Sequence, residues 1–388
     1  MIWSGTFPNS IWQRYRCSFD VIEVVGRVRD VDSVDESLKR VDGDGVVFKP
    51  LPFYHGPAQY LAQWLPVRRA LLKVADEKLP LILRVPSNLA HVLEPKLRAR
   101  GIPFAVEVVA DPWEIFSPGT MHHFLRPVFR RYYTAKLRRH CREADASLYV
   151  TERALQARYP AKKGSLTAAV SDVDLTPAAF RTNPRSGSSF ENARPFRLVS
   201  VGAFDLLYKG QDVLIRAFSR LRDRTFELVM VGDGVRLPEI RRLAHEMGCS
   251  TQVRFLGQLP SGDSVRQVLD ESHLFVLPSR QEGLPRAMLE AMARALPCVA
   301  SAVGGIPEII DYECLVPVGD SHVLARKIST LASHPAELAR LSRRNLVRSQ
   351  DFRDERLSIK RKAFLDGFRG IAQARRASVR VPQGAMTS

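Results

Sequence analysis

Apolar runs alternate with amphipathic segments along the second half of the chain. Short apolar runs predict buried strands at 196–202, 226–231, 253–256, 274–277 and 298–300. Between them, apolar residues recur every three or four positions, which predicts helices at 211–221, 237–247, 265–269 and 287–295. Strands that alternate with crossover helices predict a parallel sheet covered on both faces. On such a sheet, ligands bind beyond the carboxyl ends of the strands.

The first half of the chain has the same character but a weaker pattern. Strands are predicted at 21–25, 81–85, 104–109 and 147–150, and helices at 58–75, 90–100 and 125–142. The first recognisable element is helical, at 9–19, so the strand that usually opens such a domain is predicted to be missing. The sequence therefore predicts an α/β protein with two α/β domains.

The periodicity fails between the two halves, where residues 183–192 have the composition of a linker. We therefore predict an N-terminal domain at 1–172, a linker at 173–195 and a C-terminal domain at 196–345. A C-terminal helix is predicted at 346–370, and the tail at 371–388 is predicted to be loose.

Composition restricts the classes of protein that remain. The five cysteines are scattered without a Cys-x-x-Cys pair, which predicts reduced thiols in a cytoplasmic protein rather than a disulfide framework or a zinc site. No apolar run is long enough to span a membrane, and no signal peptide is recognised. The formal net charge of +17 predicts an anionic partner: nucleic acid, an acidic membrane surface or a phosphorylated substrate.

The segment 277–290 carries the most informative chemistry. Glu282 lies in the turn between a predicted strand and helix, and Glu290 follows inside that helix. Between them, Gly283 permits close approach to the backbone, and Pro285 suits the first helical position. The helix start favours a phosphate, whereas carboxylates accept hydrogen bonds from hydroxyls. This combination indicates a ligand that carries hydroxyl groups beside a diphosphate.

A second loop supplies a cation beside this segment. Lys209 precedes the helix that follows the first strand of the C-terminal domain, where its ammonium can neutralise a diphosphate. Gly202, Gly232 and Gly257 follow the first three strands of the same domain. Each glycine turn alone is weak evidence for a nucleotide site, because no complete dinucleotide fingerprint is present.

Six motifs in a fixed order make the resemblance specific: Lys209-Gly210, Gly232-Asp-Gly234, Phe255-Leu-Gly257, Pro278-Ser279, Glu282-x7-Glu290 and Gly304-Gly305-x-x-Glu308. Together they resemble the donor-binding domain of retaining glycosyltransferase family 4 (glycosyl transferases group 1). The resemblance covers roughly residues 196–320. It implies a GT-B fold, in which two Rossmann-like domains face a cleft, residues 1–172 form the acceptor side and the last helix returns to the N-terminal domain.

The resemblance also implies roles for individual residues. Lys209 would bind the donor diphosphate, Glu282 the sugar hydroxyls and Glu290 the ribose. The wider donor-binding set implied is Gly202, Lys209, Gly232, Gly257, Glu282, Gly283, Leu284, Arg286 and Glu290. The expected function is retaining transfer of a sugar from a nucleotide-diphosphate sugar to a glycan or lipid-linked acceptor in polysaccharide or cell-envelope synthesis, without a metal ion.

The sequence departs from the family pattern at three positions. Ala203 stands where many members carry an arginine, and Arg286 is a candidate for the missing charge. Pro285 replaces a frequent glycine. A histidine often ends a strand of the N-terminal domain near the sugar, and Asp111 is the candidate substitute here, its alternative being a residue of a turn.

Other interpretations remain open at this stage. The basic stretch 126–142 is either a helix with a solvated face or a contact for anionic lipid headgroups on the inner face of a membrane. No nucleic-acid-binding module is recognised, so no nucleic-acid partner is expected. The rival functions are a non-catalytic scaffold that binds sugar nucleotides, suggested by Ala203, and a basic nucleic-acid-binding protein.

Overall fold

The computed structural model describes residues 2–4, 9–34, 38–120, 123–221 and 225–380. The strands are β1 (Trp3–Ser4), β2 (Ile22–Arg27), β3 (Lys39–Arg40), β4 (Val46–Leu51), β5 (Leu81–Val85), β6 (Phe104–Val108), β7 (Ala146–Tyr149), β8 (Leu166–Ala169), β9 (Phe196–Val201), β10 (Phe226–Val231), β11 (Val253–Phe255), β12 (Leu274–Leu277), β13 (Cys298–Ser301) and β14 (Leu315–Val316).

The helices separate these strands along most of the chain. They are α1 (Asn9–Arg16), α2 (Gly56–Ala62), α3 (Trp64–Asp76), α4 (Asn88–Ala99), α5 (Pro112–Ile115), α6 (Arg126–Glu143), α7 (Ala154–Arg158), α8 (Gly187–Glu191), α9 (Gln211–Phe218), α10 (Leu237–Glu246), α11 (Asp263–Asp270), α12 (Arg286–Ala293), α13 (Ser321–Ala332), α14 (Pro335–Ser349) and α15 (Asp354–Arg380). None of these described helices meets the length and apolar character that a bilayer-crossing segment requires.

The C-terminal domain is built on a six-stranded parallel sheet in the order β11-β10-β9-β12-β13-β14. Its central strands consist mainly of buried apolar residues, because helices cover both faces. The five strands predicted for this domain are confirmed. β14 was not predicted, since a two-residue strand carries no periodic signal.

The N-terminal domain contains a four-stranded parallel sheet in the order β5-β6-β7-β8. A separate parallel pair joins β2 to β4, with Ile22 opposite Val46. The four strands predicted in this half are confirmed, whereas β4 and β8 were not predicted. Among the described residues before α1, the one strand is β1, which pairs with β3, and the first strand of substantial length that is described follows α1.

The segment between the domains is packed rather than extended. Val173, Leu175 and Phe190 are buried in the same apolar core as the strands of the C-terminal domain. The buried guanidinium of Arg185 donates hydrogen bonds to the carbonyls of Leu269 at 2.9 Å and Ser272 at 2.5 Å, at the carboxyl end of α11. A helix end attracts a cation, so Arg185 ties this segment to the C-terminal domain.

The chain crosses between the domains a second time at the start of α15. The N–H of Asp354 donates to the carbonyl of Leu175 at 3.1 Å, so the two crossings lie side by side. α15 then packs against β8 and α1 of the N-terminal domain. The prediction of a loose tail from residue 371 was wrong for 371–380, because α15 continues to Arg380 with Ala372 buried. Residues 381–388 lie outside the described residues.

We predict that Arg185→Ala lowers the free energy of unfolding by about 3 kcal/mol, because it leaves buried carbonyl groups without their charged donor. Urea unfolding followed by circular dichroism measures this change. Arg194→Ala is the matched control: this exposed arginine bonds only to carbonyls of its own turn. Equal unfolding midpoints for the two variants would contradict the assignment.

Candidate active site

A buried ion pair joins two loops at the carboxyl edge of the C-terminal sheet. The ammonium of Lys209 lies 2.8 Å from Oε1 of Glu282, and the hydroxyl of Ser279 donates to the same oxygen at 2.7 Å. Lys209 follows β9 and Glu282 follows β12. These strands are neighbours from which the chain winds in opposite directions, which is where an α/β sheet opens a ligand crevice.

The approach of the two loops requires a glycine. Gly210 has φ +73°, and a Cβ atom there would lie 2.0 Å from the carbonyl oxygen of Pro278. The backbone N–H of Arg280 donates to the carbonyl of Tyr208 at 2.7 Å. The guanidinium of Arg280 donates one hydrogen bond to each carboxylate oxygen of Asp212. These contacts fix the position of Lys209 relative to Glu282. Arg280 and Asp212 were not recognised in the sequence.

Lys209 keeps its charge in this environment. Burial lowers the pKa of Lys209, but the carboxylate of Glu282 raises it, and the balance lies above the ordinary value. The ammonium is therefore protonated at neutral pH. It has three N–H donors, of which Glu282 takes one, so the group can also bind a ligand oxygen.

A cavity of about 270 Å³ lies between the two domains beside this pair. Its C-terminal wall is formed by Lys209, Glu282, Gly283, Leu284, Pro285 and Arg286. Its N-terminal wall carries the polar side chains of Arg14, Tyr15, Arg84, Glu107 and Asp172, together with Arg361 of α15. Five residues of the predicted donor-binding set thus line one cavity: Lys209, Glu282, Gly283, Leu284 and Arg286.

The N-terminal wall is a hydrogen-bonded network that sequence analysis missed. The hydroxyl of Tyr15 donates to Glu107 at 2.7 Å, and Arg84 donates to the other oxygen of Glu107 at 3.2 Å and pairs with Asp172. Burial raises the pKa of Glu107 and, well above its usual range, the pKa of Tyr15. The sequence did contain one indication of this network, because Glu107 is the only charged residue of the otherwise apolar strand β6.

Arg286 lies at the edge of the cavity at the first position of α12. Its side chain is exposed and makes no hydrogen bond or ion pair within the part of the chain that the structure describes. Pro285 precedes the helix as its N-cap, one position earlier than predicted, and no side chain caps the helix start. The guanidinium and the first N–H groups of α12 are thus available to an anion.

Glu290 lies one helical turn after Arg286 and does not line the cavity. Burial raises the pKa of its carboxyl group, and the charges of Arg286 and Arg266 oppose that rise. The structure therefore places Glu290 beside the cations at the helix start rather than beside Glu282. Its predicted contact with a ribose remains a prediction.

The three glycines at the strand ends form a row next to the cavity. The N–H of Gly232 donates to the carbonyl of Gly257 at 2.8 Å, and a Cβ atom on Gly232 would lie 2.1 Å from the carbonyl oxygen of Gly202. None of the three is among the described residues that line the cavity. In this structure they bring the ends of β9, β10 and β11 close together.

Asp111 occupies a structural position instead of the cavity. Its side chain caps the start of α5 by accepting the N–H of Trp113 at 2.9 Å. It also accepts hydrogen bonds from Tyr159 and Arg158. Because these neighbours already occupy the carboxylate, the structure does not support the prediction that Asp111 replaces a catalytic histidine.

A different glutamate of the same loop reaches the C-terminal domain. Glu114 accepts hydrogen bonds from the N–H of Glu282 at 3.3 Å and from the N–H of Gly304 at 3.0 Å. Gly283 lies so close to the N-terminal wall of the cavity that a Cβ atom at this position would be 2.3 Å from the carbonyl oxygen of Val109. Glu114 is therefore a positioning residue, which holds the loop of Glu282 against the N-terminal domain.

Glu308 makes the reciprocal bridge from the C-terminal domain. Its carboxylate accepts the N–H groups of Glu152, Arg153 and Ala154 at 2.7, 3.0 and 2.5 Å, at the start of α7. The sequence motif drew attention to Glu308 without predicting this contact. Two carboxylates, one from each domain, thus join backbone N–H groups across the cleft.

The C-terminal domain is similar to a known family. Residues 195–334 match the model of the family described as glycosyl transferases group 1. Protein CapJ of Staphylococcus aureus is 25% identical over 326 residues, which cover 83% of this chain and 80% of CapJ. The match confirms the group 1 resemblance inferred from the sequence motifs.

Solved structures share the whole two-domain architecture. Sucrose-phosphate synthase from Thermosynechococcus elongatus superposes with a TM-score of 0.68 over 91% of this chain and 89% of that chain, at 19% identity. Anabaena Alr3699/HepE in complex with UDP-glucose gives a TM-score of 0.59 over 86% and 87%, at 18% identity. These likenesses confirm the predicted GT-B fold.

The bridge made by Glu114 predicts a pH effect on stability. Burial raises the pKa of Glu114 to about 6 from 4.5, although the N–H groups of Gly304 and Glu282 lower it. The folded protein thus favours the protonated carboxyl, and the associated stability, complete below pH 4.5, is lost as the pH rises through 6. Relative to Glu114→Gln, the free energy of unfolding of the unmodified protein is expected to fall by about 2 kcal/mol in total, from well below pH 4.5 to well above pH 6.

Urea unfolding of both proteins at a series of pH values tests this expectation. Glu246→Gln is the control, because its exposed carboxylate undergoes the same chemical change without a buried charge. A stability difference between the unmodified protein and Glu114→Gln that stays constant or grows with pH would contradict the prediction.

Proposed function

Because residues 195–334 match the model of the glycosyl transferases group 1 family, we propose that this protein transfers a sugar from a nucleotide-diphosphate sugar to an acceptor with retention of configuration. The observation that carries the proposal is the buried pair of Lys209 and Glu282, next to the uncapped start of α12. One cleft wall thus offers positive charge for phosphates and a carboxylate for hydroxyl groups.

In this proposal the donor binds along the C-terminal wall of the cavity. The diphosphate lies against Lys209, Arg286 and the start of α12, and Glu282 accepts hydrogen bonds from the sugar. Glu290, one turn farther along α12, is assigned to the ribose. HepE, which shares the fold, binds UDP-glucose, and this supports a nucleotide-sugar donor. Arg286 takes over the charge missing at Ala203, since its exposed guanidinium makes no hydrogen bond or close ion pair with a described residue.

The proposed catalytic effect is electrostatic. Negative charge develops on the diphosphate when its bond to the sugar breaks, and fixed cations stabilise that charge. Lys209 and Arg286 supply the cations from the chain itself, so we propose turnover without a divalent metal ion. The departing phosphate takes the proton of the acceptor hydroxyl on the face where the new bond forms, as the resemblance to retaining family 4 implies.

The acceptor is assigned to the N-terminal wall. Tyr15, Arg84 and Glu107 line the cavity opposite Glu282 and present several hydrogen-bonding groups. Such a wall suits the hydroxyl-rich surface of a carbohydrate, and we propose a glycan or a lipid-linked glycan intermediate of polysaccharide or cell-envelope synthesis.

Lys209→Ala is expected to lower turnover by roughly 10²–10³-fold, the effect of removing one preorganised donor from a developing charge. Initial rates with a saturating nucleotide sugar measure the change. Lys327→Ala removes the same side chain from α13, away from the cavity, and serves as the control. Near-normal turnover of Lys209→Ala would remove this residue from the mechanism.

The function itself is tested by identifying the donor and then the product. A thermal-shift panel of UDP-, GDP-, ADP- and dTDP-sugars identifies the donor, because a ligand that binds only the native state raises the melting temperature. Nuclear magnetic resonance of the product then gives its anomeric configuration. We expect the configuration of the donor, and an inverted product would refute retention.

The same experiment separates transfer from a scaffold function. A donor that raises the melting temperature but is never consumed would favour a non-catalytic protein that binds sugar nucleotides. We expect turnover instead, and we expect Glu282→Ala to abolish it because the sugar loses its carboxylate partner at the cavity.

A further inference from the structure

Arg361 of α15 is a buried charged residue that lines the cavity between the domains. Its side chain is 5% exposed, and its guanidinium donates one hydrogen bond, to the carbonyl of Ser171 at 3.0 Å. A guanidinium has five N–H donors. No carboxylate of the residues described by the structure lies within ion-pair distance of it. Arginine is rarely buried to this extent without a charged partner.

Arg185, the other buried arginine of the described chain, shows how such a charge is usually accommodated. Its guanidinium donates to the carbonyls of Leu269, Asp270 and Ser272 at the end of α11, and it lies 3.9 Å from the carboxylate of Asp270. Arg361 has one such contact. Burying a cation with so few partners costs free energy, and a bound anion would offset that cost.

The acids beside Arg361 are engaged by other groups of the N-terminal wall. Arg84 pairs with both Glu107 and Asp172. Arg14 pairs with Asp174 at 3.3 Å and donates to the carbonyl of Asp172 at 3.2 Å. Of the three arginines on this wall, the one on α15 is therefore left without a carboxylate.

The electrostatic surroundings of Arg361 agree with this imbalance. Burial and the charge of Arg14 lower the pKa of Arg361, and the opposing effects of Tyr15, Asp172 and Glu107 do not restore it. The guanidinium nevertheless stays protonated at neutral pH, because its ordinary pKa is so high. An added negative charge beside Arg361 would therefore be stabilised.

The position of Arg361 indicates which molecule could carry that charge. It lies on the N-terminal side of the cavity, whereas Lys209 and Arg286 belong to the C-terminal wall. The apolar side chains of Ile11 and Val150 line the same cavity. Such surroundings strengthen the attraction between opposite charges. An anion at Arg361 would thus be bound on the side assigned to the acceptor.

We propose that Arg361 binds an anionic group of the acceptor, namely a phosphate or a carboxylate attached to a sugar. The planar guanidinium can donate two parallel hydrogen bonds to either group. This inference rests on the proposed function, which assigns the N-terminal wall to the acceptor. The donor diphosphate has the same chemistry, but Lys209, Arg286 and the start of α12 already offer it positive charge on the opposite wall.

The proposal is tested by comparing glucose with glucose 6-phosphate and glucuronate as ligands of the full chain. Isothermal titration calorimetry measures their affinities while the nucleoside diphosphate of the identified donor is saturating. We expect at least one anionic sugar to bind about tenfold or more tightly than glucose, the effect of a charge-assisted hydrogen bond. Arg361→Gln is expected to remove this preference. Arg361→Lys keeps the charge without the planar fork and is expected to retain part of it.

Arg369→Gln is the matched control on the same helix. It makes the same change in net charge and also removes a hydrogen bond to a backbone carbonyl, that of Ser18 at 2.7 Å. Arg369 is exposed and is not among the described residues that line the cavity. This variant is expected to keep the full preference for anionic sugars. Melting temperatures establish that each variant is folded.

Three outcomes would overturn the proposal. The first is that neither anionic sugar binds more tightly than glucose. The second is a preference that Arg361→Gln leaves intact. The third is anionic-sugar binding that the nucleoside diphosphate abolishes, since the anion site would then belong to the donor.

The titrations need no turnover, so they are read separately from the activity; where no donor is identified, they use the chain alone. An inactive chain whose preference depends on Arg361 would refute sugar transfer but leave the anion site standing. An active chain without that preference would refute the anion site alone.

Discussion

The charges of Lys209 and Glu282 can remain in a buried cleft wall only because they neutralise each other. Burying either charge alone would cost free energy, because it would lose its hydration without gaining a partner. Paired, the two side chains hold the loops after β9 and β12 in contact. Gly210 and Arg280 secure the same junction from the backbone side. The cavity, the exposed Arg286 and the open start of α12 all take their positions from this junction.

Elements with a strong local signal were predictable from the sequence. The strands of the C-terminal sheet are mainly apolar runs, and since the carboxyl ends of parallel strands share one edge, the sequence predicted Lys209 and Glu282 at that edge. Strands β4, β8 and β14 and the packed segment around Arg185 were missed. β8 and β14 are only four and two residues long, and the packed segment is stabilised by long-range packing rather than by a periodic pattern.

The contacts across the cleft were beyond sequence reasoning for a related reason. Glu114 bonds to residues that lie 168 and 190 positions away, and nothing near Glu114 indicates those partners. Asp111, three positions earlier, was the more conspicuous acid, yet it serves as a helix cap. In the N-terminal domain, Glu107 did leave a visible signal, because it is a charged residue within an otherwise apolar strand.

The two chain crossings between the domains, near Leu175 and Asp354, lie side by side and therefore restrict the relative motion of the domains. Two adjacent connections permit a hinge rotation of one domain relative to the other but restrict lateral translation. The closed cleft is thereby defined by one set of contacts, in which Glu114 and Glu308 accept backbone N–H groups of the opposite domain and hold the facing walls in alignment.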